Sequence, residues 1–310
     1  MKLIIQIPCY NEEHTLPGVI NDLPRELDGI DTIEYLIIDD GSMDKTVEVA
    51  KTLGVHHILK LGSNHGLAKA FTRGIHHCLR HGADIIVNTD GDNQYKASYI
   101  KDLIQPILDN RADIVVGARP IEQIEHFSFI KKKLQKIGSG VVRRFSGTDV
   151  PDTTSGFRSY SAKAASQLQV FNRYTYTLET IIQAGAMDMQ ITSVPIDVNG
   201  KTRESRLFKS MRGYIWRSVC VILRSYIIYR PFMTFMYASI ITGMLGLIPC
   251  LRFLYFYLTD GTSGHIQSLL LGVVLLMLSF NLFSLGIIGH IIGVNRRLLI
   301  KHVGSTILDK

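Results

Sequence analysis

Asp90 and Asp92, separated by a single glycine, are the side chains in this chain best spaced to bind a hard cation. They lie in Asn88-Thr89-Asp90-Gly91-Asp92-Asn93-Gln94-Tyr95, directly after Ala83-Asp84-Ile85-Ile86-Val87, a β-branched run that reads as a buried strand. Mg²⁺ or Mn²⁺ takes oxygen ligands and is commonly held by one or two carboxylates together with substrate phosphates. Gly91 removes the side chain where a ligand must approach the backbone, and Gln94 offers a further neutral oxygen. On its own the stretch reads more readily as an Asp-Gly turn closing a strand. The elements around it shift that balance.

Strand and helix patterns alternate from the amino terminus. Strands are predicted at Lys2 to Pro8, Tyr35 to Ile38, His57 to Leu61, Ala83 to Val87, Ile114 to Val116 and Ile191 to Val198, with helices at about Leu16 to Leu27, from Lys45, Leu67 to His81, Ala97 to Asn110 and from Ala162. This alternation predicts an α/β fold, Rossmann-like, with a mostly parallel sheet and helices on both faces. In such sheets ligands sit outside the carboxyl ends of the strands. Four polar clusters fall at those ends: Tyr10 to Glu13, Asp39 to Asp44, Asp90 to Gln94, and Arg119. Neither a G-x-G-x-x-G dinucleotide fingerprint nor a P-loop is present.

The chain of 310 residues combines 46% hydrophobic with 20% charged content, and a mean hydropathy of +0.15, as expected of a polar domain joined to a very apolar part. Phe232 to Leu251 carries no charge, and neither does Gln267 to Val294, where Asn281 and His290 are the strongly polar members. Either run can cross a bilayer. Arg224 and Arg230 precede the first and Arg296, Arg297 and Lys301 follow the second, while the connection from Thr259 to His265 has no Lys or Arg. The positive-inside rule then places both ends in the cytosol. Asn281 and His290 are expected to hydrogen-bond to the first span. From Lys201 to Arg230 eight basic residues face one acid, Glu204, a net +7 that equals the charge of the whole chain. Interleaved with apolar residues and the chain's one tryptophan, Trp216, this block reads as a helix on anionic lipid rather than a nucleic-acid surface. The expected organisation is a cytosolic domain at 1–205, a basic interfacial segment at 206–230, and a membrane hairpin at 231–310 with spans at about 232–254 and 267–294. The four cysteines are scattered without paired spacing, so nothing suggests a disulfide framework or a zinc site, and a reducing compartment is expected. The pairs His56-His57 and His76-His77 read as surface residues.

Pro8-Cys9-Tyr10-Asn11-Glu12, Asp39-Asp40-Gly41-Ser42, Asp90-Gly91-Asp92-Asn93-Gln94, Gly117-Ala118-Arg119 and Ser155-Gly156-Phe157-Arg158 follow one another in an order that closely resembles family 2 glycosyltransferases of the GT-A fold. Within that family the chain looks like the dolichyl-phosphate mannose synthase and polyprenyl-phosphate hexose synthase group, over roughly residues 1–210. The resemblance implies that Pro8, Tyr10, Glu12, Ile38 and Asp40 line a nucleotide pocket, and that Asp90, Gly91 and Asp92 form the D-x-D motif with Gln94 as a further ligand to Mg²⁺ or Mn²⁺. It implies that Arg119 contacts the donor, and that Arg206, in Glu204-Ser205-Arg206, meets phosphate. The arginine some members carry six residues earlier is Gly200 here, with Lys201 or Arg203 as the substitute. The implied reaction is an inverting transfer of a hexose from a UDP- or GDP-sugar to a polyprenyl or dolichyl phosphate. That acceptor is already an anion and needs a cationic cradle, for which Lys131, Arg143, Arg144 and Arg158, with Ser155, are candidates. A hydroxyl acceptor would need a general base, and Glu179 is the candidate; it is equally a carboxylate at a helix start. A processive polysaccharide synthase is disfavoured, since Trp216 is not in a Q-x-x-R-W motif. Association into a homo-oligomer stays open.

Overall fold

A computed structural model describes residues 1–120, 138–144, 146–171, 175–199, 211–260 and 265–308. The chain divides into two compact units, 1–222 with 300–310, and 223–299.

The first unit is built on seven strands: β1 (Lys2–Cys9), β2 (Thr32–Asp39), β3 (His57–Lys60), β4 (Ile85–Asn88), β5 (Ile114–Ala118), β6 (Arg158–Ser161) and β7 (Ile191–Pro195). Their order in the sheet is β3-β2-β1-β4-β6-β5-β7. All neighbours pair parallel except β6, which runs antiparallel to both β4 and β5. The helices are α1 (Leu16–Asp22), α2 (Thr46–Thr52), α3 (Leu67–Arg80), α4 (Ile100–Leu108, entered through a 3₁₀ turn at Ala97–Tyr99), α5 (138–144), α6 (Ala162–Gln167) and α7 (Thr177–Ala186). Period-two alternation along β1 supplies two cores. Leu3, Ile5 and Ile7 pack with Leu16, Ile100 and Leu103 on one face. Ile4 packs with Phe71, Ile75 and Cys78 of α3 on the other. Because both faces are covered, the strand reads as a continuous apolar run. Leu3, Ile4, Ile5 and Ile7 are all fully buried, so truncating any one to alanine costs about 2–5 kcal/mol.

Two elements depart from the sequence expectation. β6 is absent from it, because Arg-Ser-Tyr-Ser carries no β-branched residue. The strand forms because its polar groups find partners inside: Ser159 Oγ donates to the Leu103 carbonyl at 2.6 Å, and the Arg158 guanidinium is fully bonded, as described below. α1 ends at Asp22 rather than Leu27, since Pro24 forces Leu23 into an extended conformation with ψ 139°.

In the second unit, α8 (Met211–Tyr229, whose first part belongs to the first unit) leads into α9 (Pro231–Asp260) and α10 (Ile266–Leu308). Pro231–Thr259 and Ile266–His302 are long and apolar enough to cross a membrane, and only 11% of each most apolar window is buried. That low burial separates them from the core helices of a soluble protein. α9 and α10 approach closely through small residues. Ser239 and Ser279 exchange hydroxyl-to-carbonyl hydrogen bonds at 2.8 Å each, and a Cβ on Gly246 would stand 3.1 Å from the Gly272 carbonyl. This is the small-residue packing of membrane helices. Asn281, expected to bond across to the first span, donates instead to the Met277 carbonyl of its own helix at 2.8 Å, and His290 meets Phe232 edge-on at 5.9 Å. On α8, Trp216, Val219, Leu223 and Ile227 are all exposed at helical spacing, which gives that helix an uncovered apolar stripe.

Candidate active site

The parallel strands bring their carboxyl ends to one edge, and the loop after β4 sits at its centre. Asn88, the last residue of β4, is fully buried. Its Oδ1 accepts from Gln6 Nε2 at 2.9 Å, and its Nδ2 donates to the Gly156 carbonyl at 2.9 Å and the Tyr176 hydroxyl at 2.8 Å. Gly156 N in turn donates to the Tyr95 hydroxyl at 3.1 Å. Gly156 is thereby fixed against the D-x-D motif, where a Cβ on it would stand 3.2 and 3.3 Å from the two Asp90 carboxylate oxygens. Gly91 is equally confined, with Cys9 Sγ 3.1 Å and Glu12 Cγ 3.3 Å from where its Cβ would be. Gln94 N donates to Asp92 Oδ1 at 3.2 Å, and Gln94 Nε2 donates to Asp90 Oδ2 at 2.9 Å. Gln94 thus positions the Asp90 carboxylate directly.

The loops after β1 and β2 are laced together beside this motif. Glu12 N donates to Thr46 Oγ1 at 2.8 Å and Glu13 N to Asp44 Oδ2 at 3.1 Å. Asn11, at φ 56°, places its Oδ1 to accept from Met43 N at 2.8 Å. Thr15 Oγ1 lies 2.8 Å from Glu12 Oε2 and 2.7 Å from the Gly91 carbonyl, which ties the loop after β1 to the D-x-D motif. Pro8 and Tyr10 flank this junction at partly buried positions. Asp40 is buried and accepts from His65 N and Gly66 N at 2.8 Å each, so it holds the start of α3. The Ile38 side chain is fully buried in the core beneath α3, away from the edge.

Arg119, just beyond β5, is clamped. Its Nε donates to Asp152 Oδ2 at 2.7 Å, and Nη2 donates to Asp152 Oδ1 at 3.2 Å and to Thr154 Oγ1 at 2.9 Å. Asp152 is fully buried. Burial works against its charge, but Arg119 outweighs it and holds the carboxyl below its ordinary value. Arg158 requires a correction. It is fully buried, and it donates to the carbonyls of Ser155 (2.8 Å), Thr177 (2.9 Å) and Thr153 (2.9 Å) and to Thr180 Oγ1 (2.8 Å). It stitches the 153–155 loop to α7 and offers no face to an acceptor phosphate. Ser155 is likewise fully buried, with its Oγ accepting from Phe157 N at 3.3 Å. Glu179 is 2% exposed on α7 and accepts from Phe171 N at 3.1 Å. Arg143 reaches Asp149 at 3.3 Å, and Arg144 is exposed on α5. Lys131, Arg203 and Arg206 lie outside the described residues. Asn199, the last described residue before the latter two, is anchored beside the D-x-D loop: its N donates to the Gln94 carbonyl and its Nδ2 to the Asn93 carbonyl, both at 2.9 Å.

Sequence reasoning left out Asn88, Tyr95, Asp152, Gly156 and Tyr176. Asn88, Tyr95 and Gly156 stood inside quoted stretches, yet only the fold shows that Asp152 locks Arg119 and that Gly156 faces Asp90. The field at this edge is strongly negative: burial first, then Glu12, Asp39, Asp44 and Asp90, push the Cys9 thiol well above its ordinary value. Two carboxylates on a loop confined by glycines on both sides, in a field that favours positive charge, fit a divalent cation held by hard oxygen donors.

A Rossmann-like sheet with one antiparallel strand, an acidic D-x-D loop at its carboxyl edge and a partly buried, clamped arginine at the same edge defines a GT-A glycosyltransferase. Residues 4–169 match the glycosyl transferase family 2 profile, and the chain belongs to that family. It is 26% identical to the undecaprenyl-phosphate mannosyltransferase of Micrococcus luteus, over 69% of this chain and 90% of that one. It is 32% identical to the UDP-N-acetylglucosamine–dolichyl-phosphate N-acetylglucosaminyltransferase of Methanococcus voltae, over 63% of this chain and 85% of that one. The glucosyl-3-phosphoglycerate synthase of Mycobacterium tuberculosis, solved with Mn²⁺ and UDP, superposes with a TM-score of 0.58 at 18% identity, covering 72% of this chain and 79% of that one.

Proposed function

We propose that the protein transfers a sugar, a hexose or a close derivative, from a UDP- or GDP-sugar to a polyprenyl or dolichyl phosphate at the cytosolic face of a membrane, with inversion at the anomeric carbon. One observation carries this reading: a chain of family 2 with a built D-x-D loop also bears two exposed, apolar helices of membrane-spanning length. An enzyme so attached is suited to an acceptor that stays in the bilayer. Asp90 and Asp92 would hold Mg²⁺ or Mn²⁺, which when bound neutralises charge on the departing diphosphate. The remaining chemistry belongs to the chain. Gln94 and Gly156 set the Asp90 carboxylate, and Glu12 with Thr15 braces the loop beneath Gly91. Arg119, pre-oriented by Asp152, presents a fixed cation to phosphate oxygens. The acceptor phosphate oxygen attacks the anomeric carbon from the face opposite the nucleoside diphosphate, and the carbon–oxygen bond to that diphosphate breaks. An anionic nucleophile requires no general base. The interior position of Glu179, bonded to the Phe171 amide, supports a phosphate acceptor over a hydroxyl one.

The test is incubation of the full-length protein in detergent with Mg²⁺, undecaprenyl or dolichyl phosphate, and a panel of UDP- and GDP-sugars that includes N-acetylhexosamines. A polyprenyl phosphate heavier by one sugar, seen by mass spectrometry with at least one donor, is the expected product. No such product from any donor overturns the reading, and loss of activity in Glu179→Gln with an unchanged thermal midpoint would favour the hydroxyl acceptor.

A further inference from the structure

The amino edge of the sheet, opposite the D-x-D loop, carries a second cluster of ligand-bearing side chains. His57 opens edge strand β3, where it pairs with Leu36 of β2. His77 and His81 stand one turn apart at the carboxyl end of α3. One ring nitrogen from each of the three lies within 4.8 Å of the other two. The ring centroids are 4.0 Å apart for His77 and His81, 4.5 Å for His57 and His81, and 5.2 Å for His57 and His77. The cluster takes one member of each adjacent histidine pair. His57 and His77 are partly buried rather than the surface residues expected from sequence.

The bonds around these rings are those that orient metal-binding imidazoles. His57 Nε2 lies 2.7 Å from Glu34 Oε2, and His81 Nδ1 lies 2.8 Å from the His77 carbonyl. A ring nitrogen donating to a carboxylate or carbonyl fixes the tautomer that leaves the other nitrogen with a free lone pair. His77 Nε2 is buried with no hydrogen-bond partner, a costly state for a polar atom.

We propose that His57, His77 and His81 bind a zinc ion that clips edge strand β3 to the carboxyl end of α3. Zinc–imidazole bonds of about 2.0–2.1 Å put the ligand nitrogens of a tetrahedral site roughly 3.3 Å apart. The ligand nitrogens lie within 4.8 Å of one another, so rotations of the rings bring them to that spacing; His81 is exposed at the helix end and, with its Nδ1 held by the His77 carbonyl, has Nε2 as its ligand atom. Water completes the coordination, while Glu34 Oε2, which also pairs with Lys2 Nζ at 2.9 Å, keeps its place beside His57. Imidazole ligands favour zinc-class ions, whereas the oxygen set of Asp90 and Asp92 favours Mg²⁺ or Mn²⁺, so the two sites select different metals. The clip has a mechanical consequence. The opposite end of α3 begins at the amides of His65 and Gly66 that Asp40 holds, so zinc at the far end steadies the helix that frames the loop after β2.

The proposal does not depend on which sugar or acceptor the enzyme uses. The full-length protein in detergent, stripped with EDTA and returned to excess Mg²⁺ to fill the carboxylate site, is titrated with Co²⁺ and then Zn²⁺. One equivalent of Co²⁺ giving the intense visible absorption of a tetrahedral site, bleached by Zn²⁺, is expected. His81→Ala, at an exposed position, should keep the metal-free thermal midpoint of the wild type while losing at least tenfold in zinc affinity. Zinc should raise the midpoint of the wild type and leave that of His81→Ala in place. Only the faint spectrum of octahedral cobalt, or equal zinc affinity in wild type and variant, would overturn the proposal. If His81→Ala does not fold, the wild-type spectrum and zinc-dependent midpoint decide alone.

Discussion

Gly156 shows how narrow the tolerances around the acidic pair are. A methyl group there would press against both oxygens of Asp90 and come 3.0 Å from the Tyr176 hydroxyl. Those neighbours are anchored, Asp90 by Gln94 and Tyr176 by Asn88, so Asp90 must turn to make room. Gly156→Ala should therefore lower kcat by about ten- to a hundredfold, since misplacement of a positioning group by around 1 Å costs on that order. Its thermal midpoint should move less than for a core truncation, because the methyl meets only the hydroxyl end of Tyr176 and the Asp90 carboxylate. Asp90→Asn keeps the shape and removes the charge of the proposed metal ligand. A loss of about a hundredfold or more in kcat, partly recovered by raising the Mg²⁺ or Mn²⁺ concentration, is expected from steady-state kinetics. A variant with wild-type kinetics would remove Asp90 from the metal site. Neither residue's partner could be read from the chain. Asp90 and Gly156 are separated by more than sixty residues, and their contact exists because antiparallel β6 returns beside β4.

At the scale of elements, the strands whose side chains repeat the alternation of a doubly covered sheet were legible, and so were the polar clusters at their carboxyl ends. β6 was not, since its stability comes from the bonds of Arg158 and Ser159 rather than from apolar side chains. The same blindness turned Arg158 into an apparent phosphate contact, because a sequence does not show whether a guanidinium faces solvent or four buried acceptors. Arg119 and Asp152 join β5 to the loop that precedes β6. Asp152→Asn leaves the partly buried Arg119 guanidinium without its counter-charge and should cost about 2–4 kcal/mol in urea unfolding. Arg119→Lys cannot reproduce the paired contacts of Nε and Nη2, and should reduce donor affinity at smaller cost to stability. The pH dependence follows from the depressed Asp152 carboxyl. Its folded value lies below the unfolded one of about 3.9, so its contribution is complete above that value and is lost only as pH falls through the folded value. The stability difference between wild type and Asp152→Asn should therefore be constant from pH 7 to 5 and narrow below pH 4.

For the whole molecule, the orientation argued from arginine placement can be tested with the chain's own cysteines. Cys9 and Cys78 are buried in the two cores, and Cys250 lies within α9, among residues assigned to a span. Cys220 is exposed on α8, eleven residues ahead of the first span. A membrane-impermeant maleimide should then label one native site. In vesicles that expose the cytosolic face, Cys220 should react at once and Cys220→Ser should remain unlabelled. In sealed vesicles of the opposite orientation, the wild type should react only after the bilayer is permeabilised. A cysteine introduced at His265, between the two spans, should show the reverse order in a Cys220→Ser background. The pattern follows from the placement of Arg224 and Arg230 before α9 and of Arg296, Arg297 and Lys301 after the uncharged run of α10, with no Lys or Arg between residues 259 and 265. Labelling of Cys220 and of the residue-265 cysteine from the same side would mean that the helices do not cross as a hairpin.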